Sequence, residues 1–528
     1  MPVIDGSMQA FPLTLDRILT HAAKWHPEAE VVTARDGGVD RVDYATLRTR
    51  ALKVSRVLAD LGVVQGERVA TLAWNSQAHV ETWYAIMGMG AVCHTLNPRL
   101  TAVQLAWMLG QSGARIIVVS ADLLPLALQV AGDAPGVERI LVIDGDIPPA
   151  IRGSTQIAAM GPLIEAADDM MRWGIFDENA PSGLCFTSGS TGAPKGVTYT
   201  HRSSFLHTLR LLQADVLGST SSDVVLPVVP MFHANAWGLP FAVPASGGKL
   251  VLPGRHTDGA SLARLIAAEG VTIAVGVPTV WLGLCDYLEA SGTTLPSLKR
   301  ITSGGAPLPP ALMERIERQL GVIAQTSWGM TELSPVGTFG VLSDPDRQAA
   351  ISGRPALGVD LMLADETGAP LADQRGEEGR LFVKGAAVIE RYFGFEQPAT
   401  DAAGWFDTGD LARIVRKGNL MITGRAKDLI KSGGEWINPA EIEAVVCALP
   451  QVSLAAVIGR SDLKWGERPL LLVELREDQD ISDAELLEAL RGRVASWWIP
   501  DAVVRLPDMP LASTGKIDKL KLRAAYSG

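Results

Sequence analysis

The stretch "DYATLRTRALKVSRVLADLG", residues 43–62, followed by "RVATLAW", residues 68–74, decides the fold class. The first run spaces its apolar residues helically and stops at Gly62; the second is a short apolar run of strand type. "HVETWYAIMGMGAV" (79–92) then reads as a helix and "ARIIVVSA" (114–121) as another buried strand. The alternation resumes in "GKLVLPG" (248–254), "SLARLIAAEG" (261–270) and "TIAVGVP" (272–278). Strands and helices alternating in this way predict an α/β protein of parallel sheets covered by helices.

From about residue 350 the texture changes. "DLMLADETGAPLADQRGEEGRLFVKG" (360–385) has short strands separated by Gly, Asp and Pro, as in a small barrel or hairpin assembly. After "MITGRAKDLIKSGGEWINPAEIEAVV" (421–446) comes a helix, strand, strand, helix, strand pattern. The sequence therefore predicts a large N-terminal domain over 1–427, with a β-rich, barrel-like subdomain over about 350–427. A small α+β domain follows over 428–528, its boundary near Lys427 or Asp428.

With 528 residues the chain exceeds a single core. Its 47% hydrophobic and 20% charged residues fit a packed globular protein. The net charge of −11 argues against nucleic acid as a partner. Cys93, Cys185, Cys285 and Cys447 lack Cys-x-x-Cys spacing and read as reduced thiols. The start, "MPVIDGSMQAF", has no signal-peptide pattern, and no apolar run reaches the roughly 18 residues of a membrane span. The expectation is a cytoplasmic protein without integral membrane association.

Five motifs carry chemistry. "FTSGSTGAPKG" (186–196) offers freed backbone N–H groups at Gly189 and Gly192 and hydroxyls from Thr187, Ser188, Ser190 and Thr191, which suit a polyphosphate. It departs from the common P-loop, because Pro194 precedes Lys195 and Gly196 follows it. Lys195 supplies a charge or holds the loop. "TSWGMTE" (326–332) gives Trp328 as a flat face for a purine, Thr331 as a hydroxyl and Glu332 as a magnesium-type carboxylate. Asp410 in "GWFDTGD" (404–410) suits the two hydroxyls of a ribose. "GRAKDLIKSGGEWINPAEIE" (424–443) joins Arg425 to a glycine-rich loop and a helix start at Asn438-Pro439. "STGKIDK" (513–519) puts Lys516 in a turn close to the end of the sequence.

In this order the five motifs resemble the adenylate-forming superfamily of acyl-CoA synthetases, luciferases and peptide-synthetase adenylation domains. The resemblance covers nearly the whole chain. It looks closest to the bacterial fatty-acyl-CoA synthetases through "HTLNPRL" (94–100), "PMFHANAWGLP" (230–240), "GVPTVW" (276–281) and "LIKSGGEWI" (429–437). One departure is Trp328, where many relatives carry tyrosine.

The resemblance implies ATP, Mg2+ and coenzyme A, a carboxylic acid substrate, and two steps through an acyl-adenylate. It makes Lys516, Glu332 and Thr191 the catalytic set, and Thr187 and Glu332 the magnesium ligands. Nucleotide and coenzyme contacts would come from the 187–192 loop with Lys195, from Gly304, Gly305, Ala306 and Pro307, and from Ser327 to Glu332 through Gly329 and Met330. Asp410, Ile422 and Arg425 would join them, with Lys431, Gly433, Gly434, Glu435 and Trp436 near the thiol's path. It also implies a hinge near Lys427 and makes a homodimer an expectation.

Amino-acid-activating relatives carry an aspartate in the place that here holds His233. "PMFHANAWGLP" has no acidic residue, and an unpaired buried ammonium would be costly. The segment, with Trp237 as its large residue, suits an apolar acyl chain. A medium- or long-chain fatty acid is the leading expectation. The alternatives are a shorter or substituted acid, such as a methylthioalkanoate or aryl-propenoate, and acyl transfer to a carrier protein.

Overall fold

The computed structural model describes residues 5–148, 156–187, 194–432, 435–512 and 515–527, which form four sheets. Two large sheets make the N-terminal part. In the first, Ile323–Gly329, Arg300–Ser303, Ile273–Gly276, Val224–Pro227, Lys249–Leu252 and Glu30–Arg35 run parallel in that spatial order. Antiparallel strands Gly38–Asp43 at one edge, and Val336–Phe339 with Arg354–Pro355 at the other, complete nine. The second sheet orders Gln156–Ala159, Arg139–Ile143, Ile116–Ser120, Arg68–Leu72, Val92–Thr95, Pro181–Phe186 and Gly196–Thr200, antiparallel only in its last pair.

The two sheets share one core. Val69, Val118 and Leu141 of the second sheet and Val225, Leu250 and Val275 of the first belong to a single apolar cluster with Trp83, Tyr84 and Phe241. The helix Gln77–Gly88 is buried at every position from His79 to Gly88, so its sequence lacks a polar face. Ser76 caps its start by accepting from His79 N–H. Polar atoms in this layer find partners: Tyr84 O–H donates to Pro240 O (3.0 Å), and Trp83 Nε1 donates to His79 Nε2 (3.0 Å). Helices Gly259–Glu269, Pro278–Ser291 and Pro310–Leu320 cover the outer face of the nine-stranded sheet, and Ala102–Ser112 with Leu124–Asp133 that of the seven-stranded one. Every strand and helix expected from the alternation is present.

The β-rich segment is an antiparallel sheet of Val359–Ala364, Glu378–Gly385, Phe406–Ile414 and Leu420–Arg425 that stays open and does not close into a barrel. The last sheet pairs Glu435–Ile437, Ile430–Ser432, Gly466–Leu475 and Val452–Asp462, with Ala502–Arg505 parallel to the third of these. Helices Pro439–Cys447 and Asp483–Glu488 pack on it, giving a small C-terminal domain with its own core around Ile442, Val457 and Leu471. Asn438 caps the first helix by accepting from Ala440 N–H and donates to Thr423 O (2.7 Å) in the preceding sheet. Cys93, Cys185, Cys285 and Cys447 are all free. Among the described residues no helix is long and apolar enough to cross a membrane.

Trp83 is fully buried where the two sheets meet. Trp83→Ala is expected to destabilise the N-terminal part by about 3–5 kcal/mol. Thermal unfolding followed by tryptophan fluorescence checks this: the midpoint should fall, whereas an unchanged midpoint would contradict a shared core.

Candidate active site

Four parallel strands of the nine-stranded sheet deliver their carboxyl ends to one place, where α/β sheets generally bind ligands. The chain leaves Val224–Pro227 into Val229 and Pro230, Ile273–Gly276 into Val277, and Arg300–Ser303 into Gly304 and Gly305; Ile323–Gly329 ends in Ser327, Trp328 and Gly329. The open four-stranded sheet adds Phe406 to Gly409, its last residue and the turn after it add Arg425 to Lys427, and the C-terminal domain adds Lys516. Together they enclose a cleft of about 670 Å³, within the range of small-molecule sites.

The cleft is cationic. Lys195, Arg380, Arg425, Lys427 and Lys516 line it against the carboxylates of Glu332 and Asp407, in a chain whose total charge is −11. Burial lowers the Lys516 pKa to about 8, with Arg425 adding repulsion and Asp410 and Glu332 opposing it. Burial lowers Lys427 as well. His233 is pushed down to about 4, by burial and then by Lys516 and Arg99, so it is neutral at pH 7.

Asp410 lies behind the cleft wall, 2% exposed. Its Oδ1 takes Arg425 Nε at 2.7 Å and its Oδ2 takes Trp328 Nε1 at 2.9 Å. Burial raises its pKa while Arg425 and the indole N–H oppose that rise. Trp328 thus has a polar handle in its ring nitrogen. Each carboxylate oxygen retains a lone pair for a hydroxyl.

Glu332 is buried, which raises its pKa, and Tyr392 O–H donates to its Oε1 at 2.9 Å. Thr187 and Lys195 pair with each other: Thr187 N–H donates to Lys195 O (2.9 Å) and Lys195 N–H to Thr187 Oγ1 (3.3 Å). A carboxylate and a hydroxyl in one cationic cleft fit a hard cation that keeps water and phosphate oxygens as its other ligands.

The cleft also has an apolar lining, formed by Val229, Trp237, Val277, Gly305 and Val336. Trp237 sits on an unusual turn: Ala234, Asn235, Ala236 and Trp237 have φ of 43°, 55°, 46° and 55°. Each non-glycine residue in the left-handed region costs about 1–2 kcal/mol, so the fold imposes this course. The indole packs on the Gly304-Gly305 backbone, where a Cβ on Gly304 would lie 3.0 Å from Trp237 Cη2 and 2.3 Å from Ser327 Oγ.

The structure brings together Thr187, Lys195, His233, Trp237, Gly305, Ser327, Trp328, Gly329, Met330, Thr331, Glu332, Arg425 and Lys516 in the cleft. Gly304 lies just beneath it, and Ala306 and Pro307 lead away, the latter exposed. Ile422 does not line the cleft; it packs with the apolar cluster of the open sheet. Lys431, Glu435 and Trp436 are exposed on the hairpin of the C-terminal domain, with Lys431 Nζ 5.4 Å from the Trp436 ring centroid. Ser188, Gly189, Ser190, Thr191, Gly192, Gly433 and Gly434 lie outside the described residues. Sequence reasoning missed Tyr392, Arg380 and Asp407, which sit in loops or strands with no spacing signal.

A family model described as AMP-binding enzyme matches residues 19–393, and one described as AMP-binding enzyme C-terminal domain matches residues 441–516. The chain is 40% identical to a 3-methylmercaptopropionyl-CoA ligase of Ruegeria lacuscaerulensis, covering 99% of this chain and 98% of that protein. It is 39% identical to a medium-chain-fatty-acid–CoA ligase of Ectopseudomonas oleovorans, covering 99% and 97%. Among solved structures, the anthranilate CoA ligase AuaEII in complex with anthranoyl-AMP superposes with a TM-score of 0.88 at 25% identity, over 98% of each chain.

The Lys516 ammonium, charged below about pH 8, must lose its proton as pH rises through that value. If its charge serves the reaction, kcat/KM for ATP-dependent pyrophosphate release should fall on the alkaline side with an apparent pKa near 8. Lys516→Arg should move that limb upward, because a guanidinium stays charged. A flat profile from pH 7 to about 10 would contradict it.

Proposed function

The chain belongs to the AMP-binding enzyme family, and on that premise we propose that it is an AMP-forming acid–CoA ligase acting on a medium- or long-chain fatty acid. One observation carries the reading: the cleft that holds Lys516 and its cationic neighbours also has an apolar lining of Val229, Trp237, Val277 and Val336. A polyphosphate suits the first and an uncharged acyl tail the second.

In the first step a carboxylate oxygen attacks the α-phosphorus of ATP while the bond to pyrophosphate breaks. Lys516 neutralises charge shared by the carboxylate and the α-phosphate. Arg425 and Asp410 hold the ribose, and Trp328 lies beside the adenine. Thr187 and Glu332 would hold magnesium, which supplies charge to the phosphates. In the second step the coenzyme A sulfur forms the thioester bond and AMP leaves, carrying the electron pair of the broken acyl–oxygen bond. AMP is a far better leaving group than the oxide of a free acid. Neutral His233, with no acidic neighbour in its segment, offers no negative charge there to pair with a substrate ammonium.

A second reading has support of its own. Trp237, a bulky member of the apolar lining packed on Gly304 and Gly305, takes up room there, which suits a short acid such as a methylthioalkanoate. The division into 1–427 and 428–528, a hinge near Lys427, a homodimer and a cytoplasmic location belong to the same proposal. The start of a new sheet at Ile430 supports the division.

The test is AMP release with coenzyme A as sole thiol, across straight acids and 3-methylthiopropionate. Acids of medium length or more should give the highest kcat/KM, and release with none of them would sink the ligase reading. Trp237→Ala should raise the long-to-short rate ratio about tenfold and leave KM for ATP unchanged. Melting curves run alongside separate this from core damage of about 3–5 kcal/mol. An unchanged acid profile in a folded variant would count against Trp237 as the wall.

Lys516→Ala should lose about 10²-fold or more in adenylation, on the scale of one transition-state charge contact. With synthetic acyl-AMP and coenzyme A it should still form thioester at a rate close to the parent's. Equal loss in both assays would refute separate arrangements for the two steps.

A further inference from the structure

The segment from Ile389 to Phe393 is strapped to both halves of the phosphate end. Ile389 N–H donates to Glu332 O at 2.9 Å, and Phe393 N–H donates to Gly196 O at 2.8 Å, directly after the phosphate loop. Between these anchors Tyr392 points its hydroxyl at Glu332 Oε1, 2.9 Å away, and its ring carries Lys195 Nζ 4.8 Å from the centroid. One side chain thus touches the carboxylate through its edge and the lysine through its face.

We propose that Tyr392 is the positioning residue that presents Glu332 to the divalent cation and keeps Lys195 apart from it; this rests on the assignment of Glu332 above. The physical reason is a competition. A lysine near a buried carboxylate gains most by pairing with it directly, which would fill the oxygens a cation needs. The phenol removes that outcome twice. Its neutral donor satisfies Oε1 without cancelling the negative charge, leaving Oε2 for the metal. Its ring face gives Lys195 an alternative seat, from which the ammonium faces the phosphates.

Tyr392→Phe keeps the ring and deletes only the hydroxyl; Tyr392→Leu deletes both contacts. Mn2+ affinity is read by electron paramagnetic resonance titration of each protein with ATP, and ATP affinity without divalent ions by calorimetry. Tyr392→Phe should weaken Mn2+ binding about tenfold, ~1.4 kcal/mol, with ATP affinity unchanged. Tyr392→Leu should weaken Mn2+ similarly and also lower metal-free ATP affinity several-fold. Glu332→Ala is the reference. If Glu332→Ala weakens Mn2+ and Tyr392→Phe stays within twofold of the parent, the proposal for Tyr392 is overturned and the Glu332 assignment stands. If Glu332→Ala itself binds Mn2+ normally, that assignment falls and the proposal with it. Unchanged ATP affinity in Tyr392→Leu would overturn the seat for Lys195.

Discussion

The buried carboxylate of Asp410 ties two separately built parts of the molecule to one point. Trp328 reaches it from the end of a nine-stranded sheet, Arg425 from the last residue of the open sheet, and Asp410 itself stands on the strand paired with that residue. A carboxylate so enclosed is tolerable only with both partners in place. Its demand fixes the Trp328 ring, the Arg425 guanidinium and the path of the chain into the C-terminal domain. Lys516 of the C-terminal domain lines the same cleft as Trp328 and Arg425.

The same crowding explains the electrostatics. A chain of net charge −11 concentrates Lys195, Arg380, Arg425, Lys427 and Lys516 at one cleft, each costly to bury beside the others. Burial depresses Lys516, and Arg425 and Lys427 add a repulsion that an incoming polyphosphate relieves. Acidic surface charges more than about 8 Å away are screened at physiological salt, so the cleft acts by its own local field.

How much of this was legible follows from particular residues. The parallel strands could be read because strands covered on both faces are short apolar runs, as at Arg68–Leu72 and Ile273–Gly276, with helices of evident period between them. The phosphate loop, Glu332, Arg425 and Lys516 stood out because their neighbours in sequence are unusual. Tyr392 did not, since its partners lie 60 and 197 positions away in the chain and leave no local trace. Nor could Asp410 be placed behind the wall, because its burial is set by Trp328 from another sheet. Ile422, expected at the nucleotide, pairs with Ala412 and packs on an apolar cluster that joins the open sheet to Trp328, a contact with no local trace in the sequence.

The left-handed course of Ala234 to Trp237 bears on the order in which the protein assembles. A newly made Ala-Asn-Ala-Trp segment winds to the right or extends, since no glycine lies within it to favour the native hand. The native course is supplied from outside, by the sheet that delivers the chain at Val229 and by the helix Leu239–Ser246 that carries it away. Those elements must therefore already be docked before this segment takes its final form. The turn that carries Trp237 is thus a late product of folding, absent from any intermediate in which the core is still open.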